Sequence, residues 1–224
     1  EAINELIKDD LHALHARMKR ELKSDIPLLN LITDYLLKTK GKQLRPMLVF
    51  LSARLQAPSN DATIVAATMI ELLHTATLVH DDVVDEAETR RGFLSINAKW
   101  KNKAAVLLGD FMLSRGLLIS LENNQYELLQ IMSNAVKEMS EGELLQIEKA
   151  MKLDINEEVY YEIISKKTAS LIKTACLAGS HSVSTDTSKN QLLADIGYKI
   201  GMAFQIKDDL LDLGKDEIGK PLAI

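Results

Sequence analysis

The chain carries one cysteine, Cys176, in 224 residues, which excludes an internal disulfide and a cysteine-rich metal site. Cys176 stands in an apolar stretch and is expected as a small core residue. No His-x-x-x-His pair occurs, so zinc is disfavoured. The net charge is only −5 and the two signs are interspersed, leaving no basic footprint for nucleic acid. The N-terminus lacks a signal-peptide pattern and reads as an amphipathic helix. The longest apolar run, Ile64 to Val79, is interrupted by Glu71 and His74, so it reads as a buried helix rather than a membrane span. A cytoplasmic setting is expected. Four prolines, ten glycines and 4% aromatic residues leave few interruptions in the rest.

That rest is helix-period sequence. Apolar residues recur at i, i+3, i+4 and i+7 nearly everywhere, and no run alternates with strand period. About eight helices follow, broken near 24–27, 39–41, 58–61, 91–95, 121–125, 153–156 and 182–188, where Gly, Pro, Ser, Asn and Asp gather. Short connections imply antiparallel neighbours. The expected fold is all-α, a single-domain antiparallel helical bundle around a central apolar cavity. One domain is expected over residues 1–224. The sequence stops soon after its last motif with no terminating signal, so C-terminal helices are expected to be missing.

Two acidic segments stand out: Asp81-Asp82-Val83-Val84-Asp85 and Asp208-Asp209-Leu210-Leu211-Asp212. Each sets carboxylates at i, i+1 and i+4, and i with i+4 share a helix face about 5–6 Å apart. At an effective dielectric of roughly 20, like charges so placed repel by about 3 kcal/mol. A divalent cation removes that repulsion. One such cluster is ordinary surface decoration; two, each embedded in apolar helix, point to facing Mg²⁺ platforms.

Cationic and polar groups surround them. His74, Leu78, Asp81 and Asp85 form one stripe, so His74 shares the cluster's face, although a hydrogen-bonded core histidine is the plainer reading. His80 lies on another face and reads as structural, and His12 with His15 as a solvated pair. Arg90-Arg91-Gly92 offers forked donors suited to phosphate, or simply a basic turn. Lys42 and Arg45 flank a helix entry whose free N–H groups attract anions. Gly197, Gly201, Gln205, Asp209 and Asp212 share a face, where the glycines imply close packing or room for a ligand. Lys166-Lys167-Thr168 adds a cation and a hydroxyl. The stretch 214–221 nearly matches a phosphate-binding P-loop, but Pro221 replaces the needed hydroxyl and a helix precedes it. No serine, cysteine or histidine arrangement suggests a covalent nucleophile. Carboxylates, arginines and lysines together describe Mg²⁺-assisted diphosphate chemistry in an apolar helical pocket.

In order, Gly41-Lys42-x-x-Arg45-Pro46, His74, Asp81-Asp82-x-x-Asp85 with Arg90-Arg91-Gly92, Lys167-Thr168 and Phe204-Gln205-x-x-Asp208-Asp209-x-x-Asp212 resemble the trans-type polyprenyl (isoprenyl) diphosphate synthases, from about Leu28 onward. The resemblance implies that isopentenyl diphosphate is condensed repeatedly onto an allylic diphosphate such as farnesyl diphosphate. It implies that Lys42, Arg45, His74 and Arg91 hold isopentenyl diphosphate, and that Arg90, Lys167, Thr168, Gln205 and Lys220 contact the allylic diphosphate. Asp81, Asp85 and Asp208 would ligate Mg²⁺, with Asp82, Asp209 and Asp212 as direct or water-bridged helpers. Asp81, Asp85, Arg90, Lys167, Gln205 and Asp208 would carry catalysis, with the departing diphosphate as base.

Thr77 and Ala76, four and five residues before Asp81, are expected one turn deeper on its stripe. Shorter-chain relatives place aromatics there as a floor. Small residues imply a tunnel past Leu73 and Ile70 and a product of more than four isoprene units, unless Phe111 or another helix closes it. A homodimer is implied, with peripheral membrane contact only through the lipid product. Rival readings are a terpene cyclase, which normally lacks the second aspartate motif, a shorter-chain synthase, a partner subunit or partner-dependent catalytic chain, and a metal-binding scaffold.

Overall fold

The 3.6-residue apolar period becomes helix throughout the computed structural model, which describes residues 5–38, 41–90 and 92–213. In chain order the helices are α1 (Lys8–Glu21), α2 (Pro27–Lys38), α3 (Leu44–Arg54), α4 (Asp61–Val84), α5 (Ile96–Glu122), α6 (Tyr126–Lys152), α7 (Glu157–Ile164), α8 (Ser170–His181) and α9 (Thr187–Leu213). A π-helical turn, Ser165–Ala169, joins α7 to α8. The all-α expectation holds.

Helix starts follow the polar residues that mark the breaks. Asn60 and Thr63 form a reciprocal capping box at α4, and Asn156 and Ser95 accept from Val159 N and Ala98 N at α7 and α5. Two departures from expectation are local. Strands β1 (Thr89–Arg90) and β2 (Phe93–Leu94) form a hairpin between α4 and α5. Two residues per strand are too short to show an alternating pattern. The π turn also goes unannounced, because it lies inside continuous apolar periodicity.

α4 is the core helix. Val65, Ala66, Ala67, Met69, Ile70, Leu72, Leu73, Ala76 and Val79 are all buried on it. Each large apolar side chain so buried stabilises the fold by about 1.5–3 kcal/mol. Both α4 and α5 are long and apolar enough to cross a membrane, but 61% of the α4 window is buried inside the protein. Cys176 is buried, and that burial pushes its thiol pKa up.

α4 packs on α5, while α8 packs on α3, α4 and α9. Close approach depends on small residues. A Cβ at Gly179 would lie 2.1 Å from the Val49 carbonyl oxygen, so α8 rests directly on the α3 backbone. Gly197 serves the same purpose between α9 and α8, and Gly201 between α9 and Ala169 of the π turn, which settles their role as packing rather than ligand space. Among the described residues α4 and α9 do not pack extensively on each other; α8 holds both.

Candidate active site

The end of α4 presents its three aspartates differently. Asp81 is half-buried, Asp85 is exposed at the C-cap and Asp82 is buried. Burial pushes the Asp81 carboxyl up to about 6; Glu143 and Asp85 push it the same way, while Lys167 and Arg90 oppose them. Negative charge is thus crowded at Asp81 beyond what the nearby cations offset. On α9, Asp208 and Asp212 are exposed, and Asp209 accepts from Tyr160 Oη at 2.6 Å and Gln205 Nε2 at 2.8 Å. Burial and that bond to Asp209 push the Tyr160 phenol up to about 12, so it stays a donor.

Among the described residues no three carboxylate, histidine or cysteine side chains converge as a complete metal cage. The residues nevertheless fit Mg²⁺, which takes one or two carboxylates and completes its shell with water and phosphate oxygens. Asp81, half-buried in the last turn of α4, and Asp85, exposed one turn on at its C-cap, are oxygen donors of the kind that favours such a cation there.

Two cavities adjoin this region. One, of about 600 Å³, is lined by Lys42, Arg45, Glu71, His74 and Phe204, with Arg45 NH1 and His74 Nε2 2.9 Å apart. The entry to α3 and the face of α4 thereby bring Lys42, Arg45 and His74 from distant motifs to one wall, with Phe204 of α9 beside them. The second, of about 350 Å³, is lined by Gln146, Tyr160, Lys167, Thr168, Gln205 and Asp209. There the Thr168 hydroxyl donates to Gln205 Oε1 at 2.8 Å. Arg91 and Lys220 lie outside the described residues.

Asp82 requires a correction. It is 3% exposed and accepts from Arg90 Nε at 2.7 Å and from Arg90 NH2, so it anchors Arg90 rather than helping a metal. One residue is about 100° of helix, which turns Asp82 away from Asp81. It lines a separate cavity of about 70 Å³ with His15 and Tyr35. His15 is therefore not a solvated partner of His12: it is half-buried in that wall while His12 is exposed.

The link from α4 into the hairpin that carries Arg90 is clasped by Asn97, whose Nδ2 donates to the Asp82 and Ala87 carbonyls at 3.1 Å each. Ser95 Oγ donates to Ala87 O at 2.6 Å, and Tyr35 Oη to Leu94 O at 2.8 Å. Asn97→Ala is expected to destabilise the protein by about 2 kcal/mol, since buried acceptors lose their donor. A melting curve should fall by roughly 4–8 °C; an unchanged Tm would refute the clasp.

The chain-length residues divide between two faces. Five residues turn a helix by about 140° relative to the start, so Ala76 cannot share the Asp81 stripe. Thr77, half-buried, lies with His74 and Ile70 on the Asp81 side. Ala76, 2% exposed, lies with Leu73 and Met69 toward α5 and α6. Between these helices a cavity of only about 10 Å³ is lined by Met69, Leu73, Leu113, Gly116, Met132 and Val136. Neither Phe111 nor Ile70 borders it.

Sequence reasoning missed Glu143, Gln146 and Tyr160. Glu143 Oε2 lies 2.6 Å from Lys167 Nζ, and Gln146 Oε1 accepts from it at 3.1 Å. The i, i+3 spacing of Glu143 and Gln146 after Gly142 was visible, but nothing along the chain says which element they meet.

This arrangement has counterparts. Residues 26–223 match the polyprenyl synthetase family model. The chain is 39% identical to octaprenyl diphosphate synthase of Escherichia coli (strain K12), covering 98% of this chain and 69% of that protein. Identity to heptaprenyl diphosphate synthase component 2 of Bacillus subtilis (strain 168) is 35%, over 96% of this chain and 63% of the relative. The crystal structure of a decaprenyl diphosphate synthase from Rhodobacter capsulatus superposes with a TM-score of 0.93 at 36% identity, covering 98% and 68% of the two chains. Polyprenyl synthase from Caulobacter crescentus CB15, complexed with calcium and isoprenyl diphosphate, gives a TM-score of 0.90 at 36% identity, covering 95% of this chain and 65% of that one. The chain belongs to the polyprenyl synthetase family, as a prenyltransferase of the trans, long-chain type.

Proposed function

We propose that this chain condenses isopentenyl diphosphate sequentially onto an allylic diphosphate such as farnesyl diphosphate. It releases diphosphate and builds a long-chain all-trans polyprenyl diphosphate. The observation that carries the reading is the cavity that gathers Lys167, Thr168, Gln205 and Asp209 on one lining. Its carboxylate calls for a cation that a diphosphate would share.

Asp81 and Asp85 would hold Mg²⁺ from α4 and Asp208 from α9, with Asp209 and Asp212 around it. Bound there, Mg²⁺ neutralises a leaving diphosphate. Lys167, Thr168 and Gln205 would receive the allylic diphosphate in the cavity they line, aided by Arg90 and Lys220. Lys42, Arg45, His74 and Arg91 would receive isopentenyl diphosphate, holding its double bond toward the allylic carbon. Apolar walls would exclude water from the allylic cation until the new bond forms and the departing diphosphate takes up the proton.

The test supplies the full chain with Mg²⁺, labelled isopentenyl diphosphate and farnesyl diphosphate, and sizes the products. A ladder ending beyond twenty carbons is expected; no incorporation by folded protein would refute the reading. Growth would run along the Ala76–Leu73–Met69 face, displacing side chains around the small cavity there. Ala76→Tyr should then shorten the main product by at least two isoprene units, and an unchanged ladder would place the tunnel elsewhere.

A second reading is favoured by one relative, named component 2 of a heptaprenyl diphosphate synthase. This chain would then be catalytic only with a partner, and activity would return on adding native lysate. A homodimer is the simpler assembly. α5 exposes Leu107 at 59%, Leu118 at 43% and Leu121 at 44%, an apolar surface suited to burial between copies. Light scattering on purified protein would separate one copy from two.

A further inference from the structure

Lys167 is not left to its flexible stem. Its Nζ lies 2.6 Å from Glu143 Oε2 and donates to Gln146 Oε1 at 3.1 Å. Glu143 and Gln146 are three residues apart on α6, so one helix face supplies both acceptors. Two backbone features bring that face into reach. The turn bearing Lys167 winds as π-helix, a form found mostly as single turns at functional sites. Gly142 then lets α6 lie against that turn: a Cβ there would fall 2.7 Å from Lys166 Cβ and 2.9 Å from Lys167 N. Lys166 is held separately, by Glu141 and Glu162.

We propose that Glu143 is a positioning residue, holding Lys167 through the close contact at Gly142 so that Lys167 meets the allylic diphosphate preformed. This deepens the proposed function and rests on its placing of Lys167. An ammonium has three protons. α6 takes two and leaves one for a phosphate oxygen. Fixing a four-carbon stem beforehand removes an entropic cost from each substrate-binding event. Glu143 also offsets part of the ammonium's charge, which would weaken anion binding. The side chains of Lys167 and Glu143 are 37% and 30% exposed, so water and salt screen that offset. Positioning is the larger effect.

The test is steady-state kinetics of the full chain with Mg²⁺, varying each substrate in turn. Glu143→Ala should raise KM for the allylic diphosphate about tenfold while KM for isopentenyl diphosphate stays within about twofold. Glu143→Gln keeps the shape and one acceptor, guards against misfolding, and should recover most of the loss. Lys167→Ala should cost at least as much, and the double variant no more than Lys167→Ala alone. Equal rises for both substrates, a lower allylic KM, or additive losses would overturn the proposal. A Lys167→Ala variant with wild-type allylic KM would instead overturn the placing of Lys167 itself, and the proposal with it. A raised KM in Lys167→Ala but not in Glu143→Ala would sink the positioning role alone.

Discussion

Asp81→Asn is expected to lower the condensation rate by about three orders of magnitude, the size seen when a group stabilising developing negative charge is removed. The same change should make the metal-free protein more stable. Burial, then Glu143 and Asp85, hold the Asp81 carboxyl near 6, above its ordinary 3.8. A carboxyl whose folded pKa is raised binds its proton more tightly in the folded state, so stability falls as pH rises between those two values. Below about pH 4 Asp81 is protonated in both states and costs nothing; above about pH 6 the full penalty stands. Because Asp81 remains partly solvated, screening reduces that penalty to about 1–2 kcal/mol. Wild type should therefore melt a few degrees below Asp81→Asn at pH 7, and the two curves should converge toward pH 4. Calorimetry without Mg²⁺ across that range checks the sign. A variant that melts lower than wild type at pH 7 would mean Asp81 is a structural ion-pair member. Full activity in the variant would remove Asp81 from the site.

Gly179→Ala should cost the fold about 3 kcal/mol, near the upper end for overpacking. The added methyl would meet the Val49 carbonyl oxygen at 2.1 Å and the Val49 Cα at 2.8 Å. Both are backbone of α3, which cannot step aside as a side-chain tip would. α3 and α8 must separate, and the bundle loses contact between the helix after Lys42 and the helix after Lys167. The Tm should drop by roughly 6–12 °C, and affinity for both substrates should weaken together. A neutral effect on melting would show that α3 and α8 lie farther apart than this structure places them.

How much was legible in the sequence differs from residue to residue. Asp81 and Asp208 announce themselves because like charges at i and i+4 in apolar helix demand an explanation. α4 was legible because its apolar period persists for more than four turns, broken only at Glu71 and His74. Asp82 was not legible: adjacent aspartates look alike in sequence, yet one residue of rotation leaves Asp81 half-buried and sends Asp82 inward to Arg90. Ala76 and Thr77 were grouped by distance from Asp81, and the helical turn separates them. Glu143 was out of reach because its partner Lys167 lies on another element, and pairing between elements is decided by packing. The hairpin is held from outside, at Leu94 by Tyr35 and at the Ala87 link before it by Asn97 and Ser95, so its own residues carry little sign of it.

The turn at Ser165–Ala169 has one more consequence. A π turn spends an extra residue without an extra turn of height, so α7 and α8 run end to end across it. Deleting any one of those five residues would restore a regular hydrogen-bond ladder and improve the segment taken by itself. It would leave α7 and the buried Ile172 and Ala175 facing as they do, and re-place by about 100° only side chains within the turn, Lys167 among them. A redesign that ironed out local irregularity would thus keep the packing on both sides and lose the one presentation the irregular turn gives Lys167.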